Sequence, residues 1–80
     1  MASVEERVVA ILAEKFKVPP ESIKPETSYV NDLGADSLDM NEILMLLEEE
    51  FELTFPDEDI EKIQAIGTVG ETVKHIEKNI

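Results

Sequence analysis

Apolar residues recur along this chain in blocks with a helical period. In "SVEERVVAILAEKFKV", Val4, Val8, Ile11, Leu12 and Phe16 follow one another at steps of three and four, which places them on one helical face. Ser3 stands where an N-cap belongs, and Glu6 has capping-box spacing from it. Pro19 and Pro20 end that helix, because proline carries no N–H and restricts the residue before it. A second block, "SLDMNEILMLLEEEF", sets Met40, Ile43, Leu44, Leu47 and Phe51 on one core-facing stripe. Asp36 is its expected N-cap, and Asp39 adds negative charge where the helix dipole favours it. A short helical turn follows at "PDEDIEKI", with Pro56 at the junction and Ile60 and Ile63 pointing inward. The last block opens on Thr68 and Glu71 at capping-box spacing, then runs through Val69, Val73, Ile76 and Ile80 with helical period.

Between the first two blocks lies "PPESIKPETSYVNDLGAD", with no sustained period and three prolines. A connection this long inside a compact domain is uncommon and usually functional. Ile23, Tyr29, Val30 and Leu33 are the side chains expected to pin it to the core, and Gly34 suits a tight bend with positive φ. "FELTF" could be extended, but one short run cannot form a sheet. The pattern predicts an all-α fold: a small four-helix bundle with three longer helices, one short helix and a long loop between the first and second. Residues 1–80 are expected to form a single domain.

Composition narrows the function. Nineteen acidic residues face seven basic ones, for a net charge of −12. Such a chain is repelled by nucleic acid phosphates and anionic lipid, and should attract basic protein surfaces. The 42% hydrophobic content, helically spaced, argues for folding rather than acidic disorder. Without cysteine there is no disulfide and no thiolate metal site, which fits a reducing compartment. No apolar run is long enough to span a bilayer, and "MASVEERVVA" lacks the pattern of a signal peptide.

The stretch "NDLGADSLDM" carries the chemistry to be explained. Ser37 sits at a helix start with no histidine, lysine or cysteine beside it, so nucleophilic catalysis is disfavoured. Read alone, it is most simply part of a helix cap. His75, the chain's one histidine, is expected at the surface or core edge of the last helix rather than as a catalyst. "DEDIEKIQAIGT" begins like a calcium loop but has Lys62 where glycine is needed and Thr68 where the closing glutamate belongs. No dedicated metal site is expected, and the carboxylates near Asp36 and Asp39 read as a solvated acidic face, with loose cation binding there as the alternative. Leu38 and Met45 lie off the core stripe, among Glu42, Glu48 and Glu49. They are either ordinary exposed apolar residues or a docking surface.

At this point the chain resembles a known family. "DLGADSLD", Asp32 to Asp39, looks like the modification motif of acyl carrier proteins. "LEEEF" and "PDEDIEKI" resemble the segments that follow it in the fatty-acid type, and "VEERVVAILAEKF" resembles the family's first helix. The resemblance implies that Ser37 is the attachment point for 4′-phosphopantetheine, transferred from coenzyme A by a separate phosphopantetheinyl transferase. Ser37 would then be an anchor and not a catalyst, and the protein no enzyme. It implies a docking face of Asp36, Leu38, Asp39, Asn41, Glu42, Met45, Glu48 and Glu49 toward acyl-processing enzymes with basic patches. It also implies an acyl pocket lined by Met40, Ile43, Leu47, Phe55, Ile60 and Ile63. The implied protein is a cytoplasmic monomer of fatty-acid synthesis, with no nucleic acid partner and no membrane insertion.

Some residues depart from the family pattern. Asn31 stands where an acid is frequent, and Asn41 replaces an apolar residue on the docking stripe. Met40, Phe55 and Ile60 are bulkier than the usual pocket residues, and Gln64, Ala65 and Ile66 look like an insertion before the last helix. These departures favour weighing a specialised carrier, for a polyketide or another acyl product, beside the general one. An unmodified acidic adaptor is the alternative of a different class. A hydrolase built on Ser37 and His75 ranks behind both, because nothing in their spacing brings them together.

Overall fold

The computed structural model describes residues 3–80 and contains four α-helices: α1 (Val4–Phe16), α2 (Ser37–Phe51), α3 (Asp57–Ile66) and α4 (Val69–Asn79). A 3₁₀ turn, Pro20–Ser22, interrupts the long α1–α2 loop. There is no strand among the described residues, only one isolated bridge between Ser28 and Thr68. Among the described residues no helix is long and apolar enough to cross a membrane.

The predicted caps close the helix starts. Ser3 and Glu6 form a reciprocal capping box, and so do Asp36 and Asp39. Each such N-cap typically stabilises a helix by about 1 kcal/mol. Thr68 accepts from the Glu71 N–H, but the Glu71 side chain does not return the bond; it turns to His75 instead. The third helix is longer than expected. Gln64, Ala65 and Ile66 form its last turn, which ends on Gly67 in the left-handed conformation.

The interior is one apolar cluster. Val8 and Leu12 of α1 meet Met40, Ile43, Leu44 and Leu47 of α2, Ile63 of α3, and Val69, Val73 and Ile76 of α4. Val4, Ile11, Phe16, Phe51 and Ile60 pack against it half-buried. Ile80 departs from the expected stripe: α4 ends at Asn79, and Ile80 is exposed.

The α1–α2 loop is docked by named contacts. Ile23 and Tyr29 are buried and Leu33 is half-buried. The Tyr29 hydroxyl bonds Thr72 inside the core, and burial pushes its pKa up to about 12, with the Thr72 bond acting in the other direction. Backbone bonds tie the loop to the start of α4: Tyr29 N–H to Gly67 C=O, Val69 N–H to Thr27 C=O and Gly70 N–H to Pro25 C=O. A Cβ on Gly70 would lie 2.9 Å from the Pro25 carbonyl oxygen, so this approach requires glycine. Val30 does not pin the loop. It is 61% exposed, because the turn that sends Tyr29 inward sends its neighbour out. Gly34 has φ of 70°, as its bend requires.

Candidate functional site

Ser37 is the first residue of α2 and is exposed. Among the described residues its hydroxyl has no hydrogen-bond partner, so it is free to be modified. Asp36 occupies the cap. Its Oδ1 accepts the Asp39 N–H at 2.9 Å, and its carbonyl accepts the Met40 N–H. The N–H groups of Ser37 and Leu38 are left without a partner among the described residues. They point out of the positive end of the helix, where an anion is favoured. The Asp36 carboxylate is committed to the cap.

An open cleft lies beside Ser37. Val30, Ala35, Met40, Asn41 and Gln64 line it together with Asp36 and Ser37. Ala35 and Met40 are buried members of the core cluster, so the cleft floor touches the interior. Sequence reasoning missed the parts that Val30 and Gln64 play here. One comes from the loop and the other from the last turn of α3, and neither carries a local signal.

The face predicted for docking divides into free and engaged residues. Leu38 is 65% exposed and Met45 59%, and Asn41 and Glu49 are open to solvent. Leu46, not singled out from the sequence, is exposed beside Met45. The acids are less uniform. Glu42 receives the Lys15 ammonium at 2.7 Å, and Asp39 lies 3.6 Å from the same group. Those carboxylates, the Glu42 hydrogen bond first, hold the Lys15 pKa above its ordinary value against desolvation. Glu48 is half-buried and accepts the Phe55 N–H at 2.8 Å, so it organises the α2–α3 connection. Arg7 pairs with Glu50 at 2.8 Å and lies over the Phe51 ring. This exposed pair contributes at most about 1 kcal/mol.

Of the expected pocket residues, Met40, Ile43, Leu47, Phe55 and Ile63 are buried in the common core, and Ile60 packs against them from α3. His75, expected at the surface or core edge, is not at the surface. It is buried within α4, against Asp59 and Glu71, and Ser37 is exposed at the start of α2, so the two do not form a catalytic pair.

The fold is similar to a solved structure of the acyl carrier protein from Enterococcus faecalis, with a TM-score of 0.78 and 34% identity, covering 96% of this chain and 94% of that one. Residues 6–76 match the phosphopantetheine attachment site family. The chain belongs to the acyl carrier protein family. Members carry 4′-phosphopantetheine and act as carriers, not catalysts. The family's prosthetic group is joined to serine through an anionic phosphodiester, and the start of α2 suits it: an accessible hydroxyl, two N–H groups without a partner among the described residues, and a cleft beside the serine.

Proposed function

We propose that this chain is an acyl carrier protein of fatty-acid synthesis, with Ser37 as its attachment residue. The observation that carries the assignment is the exposed, unpartnered Ser37 hydroxyl at the N-terminus of α2, within "DLGADSLD". The transferase makes a bond from the Ser37 oxygen to phosphorus, the pyrophosphate bond of coenzyme A breaks with adenosine 3′,5′-bisphosphate as the leaving group, and the serine proton leaves to the transferase. When attached, the arm supplies a terminal thiol that holds an acyl group as a thioester. In a cysteine-free chain, that thiol is the only one. The Ser37 and Leu38 N–H groups would hold the phosphodiester.

Docking to the transferase and to acyl-processing enzymes is assigned to Leu38, Asn41, Met45 and Glu49, with Asp36, Asp39, Glu42 and Glu48 contributing negative potential. Exposure supports the first four. The Lys15 contact makes Glu42 and Asp39 weaker attractors than their sequence positions suggest. The acyl chain is assigned to the space among Met40, Ile43, Leu47, Phe55, Ile60 and Ile63. A monomer in a reducing cytoplasm fits the acidic, cysteine-free chain. The bulk of buried Met40 and Phe55 favours a restricted pocket, and with it a carrier for shorter acyl groups.

Intact mass after incubation with coenzyme A and a broad-specificity transferase tests the assignment. The wild type gains one phosphopantetheinyl unit and Ser37→Ala gains none. Modification that persists in Ser37→Ala, or an unmodified wild type, rejects it.

A further inference from the structure

The contact between α3 and α4 buries charged groups that the carrier function does not use. Asp59 is 1% exposed and His75 3%. Asn79 Nδ2 donates to Asp59 Oδ2 at 2.9 Å and to the His75 carbonyl at 2.7 Å. Asp59 Oδ1 lies 3.0 Å from His75 Nδ1 and 3.7 Å from Lys78 Nζ. His75 Nε2 lies 2.8 Å from Glu71 Oε1. Each ring nitrogen therefore faces its own carboxylate. Nδ1 makes no directed hydrogen bond, and it meets Asp59 by proximity alone. Among the described residues, no charged group of α1 or α2 reaches this cluster. Arg7 is held by Glu50, and Lys15 by Glu42 and Asp39.

The position of α3 depends on such contacts. Its N-cap, Pro56, gives no side-chain hydrogen bond. Of the three acids in its first turn, Asp57 and Glu58 are exposed and Asp59 alone is buried. A buried polar contact adds little net stability over apolar packing, but removing one partner strands the other. Its effect is positional. α3 also carries Ile60 and Ile63, two walls of the acyl space assigned above. Extra methylenes enter a packed interior only if a wall moves.

We propose that Asp59, His75 and Asn79 form a clamp that fixes α3 on α4 and so limits the length of acyl chain the interior accepts. Asp59 is a positioning residue that determines specificity, acting through α3. The proposal rests on the acyl-space assignment, and its test separates the two.

Hydrogen exchange is measured on the unmodified chain for wild type, Asp59→Asn, Asn79→Ala and a control, Glu58→Gln, whose carboxylate lies exposed on the same helix. Asn79→Ala should lower the protection of amides 57–66 by about ten-fold, and Asp59→Asn by at least as much. The amides of α1 and α2 should keep theirs, and Glu58→Gln should change nothing. Thioesters of increasing length are then melted on wild type and Asn79→Ala. The chain length at which the melting temperature stops rising should be longer in the variant. Unaltered α3 protection in both clamp variants would overturn the clamp. So would a uniform loss across all four helices, or a plateau that stays fixed while α3 loosens. A wild type indifferent to acyl length rejects the acyl space instead, and the exchange data then decide the clamp alone.

Discussion

The outward face of α2 and the contact between α3 and α4 use the same residue types in opposite ways. On α2, Ser37, Asn41 and Glu49 stand in solvent, with Leu38 and Met45 unburied between them. At the α3–α4 contact, Asp59, His75 and Asn79 have their polar atoms set against one another, and Ile63 and Ile76 are closed off from water. The first region has unused bonding capacity and the second has almost none. A molecule with net charge −12 thus leaves the groups assigned to docking free and seals the few charged groups of the α3–α4 contact. Free capacity is what a protein that meets many partners in turn requires. Filled capacity is what keeps a small bundle in one arrangement.

The widest separation between these regions should appear on truncation. Ile63→Ala should destabilise the protein by about 2–5 kcal/mol, from lost transfer and an unfilled cavity. Met45→Ala should stay within about 0.5 kcal/mol. Chemical denaturation checks both, and comparable losses would break the contrast. Loss of transfer activity without loss of stability in Met45→Ala would sharpen it.

A pH effect should come next in size. The Asn79 hydrogen bond, followed by the charges of His75 and Lys78, holds the Asp59 carboxyl below the ordinary carboxylate range, although burial acts to raise it. The unfolded chain therefore takes up this proton first as pH falls. The contribution of Asp59 is complete above its ordinary value of 3.8 and disappears as pH falls through the lower folded value. Asp59→Asn cannot take up that proton. The gap in melting temperature between wild type and Asp59→Asn should be wide at neutral pH and narrow in strong acid. A gap of constant width would show that Asp59 is not bound as an ion.

The smallest effects belong to the free face. Glu49→Lys should slow acyl transfer from an enzyme with a basic docking patch and lower its sensitivity to salt. Leu38→Ala should slow transfer with little change in salt response. Stopped-flow rates at several ionic strengths distinguish the two, and identical salt slopes would remove the division between steering and contact.

The free face was legible in the sequence and the sealed contact was not. Ser3, Asp36 and Thr68 announce helix starts through neighbours three residues away, so local reading finds them. Ser37, Leu38 and Met45 follow from the same helical frame. Val30 and Tyr29 are adjacent in a loop without period, and only the docking onto α4 decides which turns inward. His75 was expected at the surface or core edge and Asp59 was not singled out, because their burial depends on a partner helix. A faint signal existed: Glu71, His75 and Asn79 fall at four-residue steps on one stripe. Lys15 was equally hidden, since its two carboxylates lie on another helix.

The contact of Gly70 with Pro25 bears on the order of folding. Helices form from near neighbours, whereas seating the loop joins segments far apart in sequence and carries the greater closure entropy. That contact belongs on the native side of the rate-limiting barrier. Gly70→Ala would then raise the unfolding rate and leave the folding rate nearly unchanged, so that in a chevron plot only the unfolding limb shifts. Seating of the Tyr29 loop would thus act as the catch that closes last and opens first, setting the lifetime of the native state without governing how quickly it is reached.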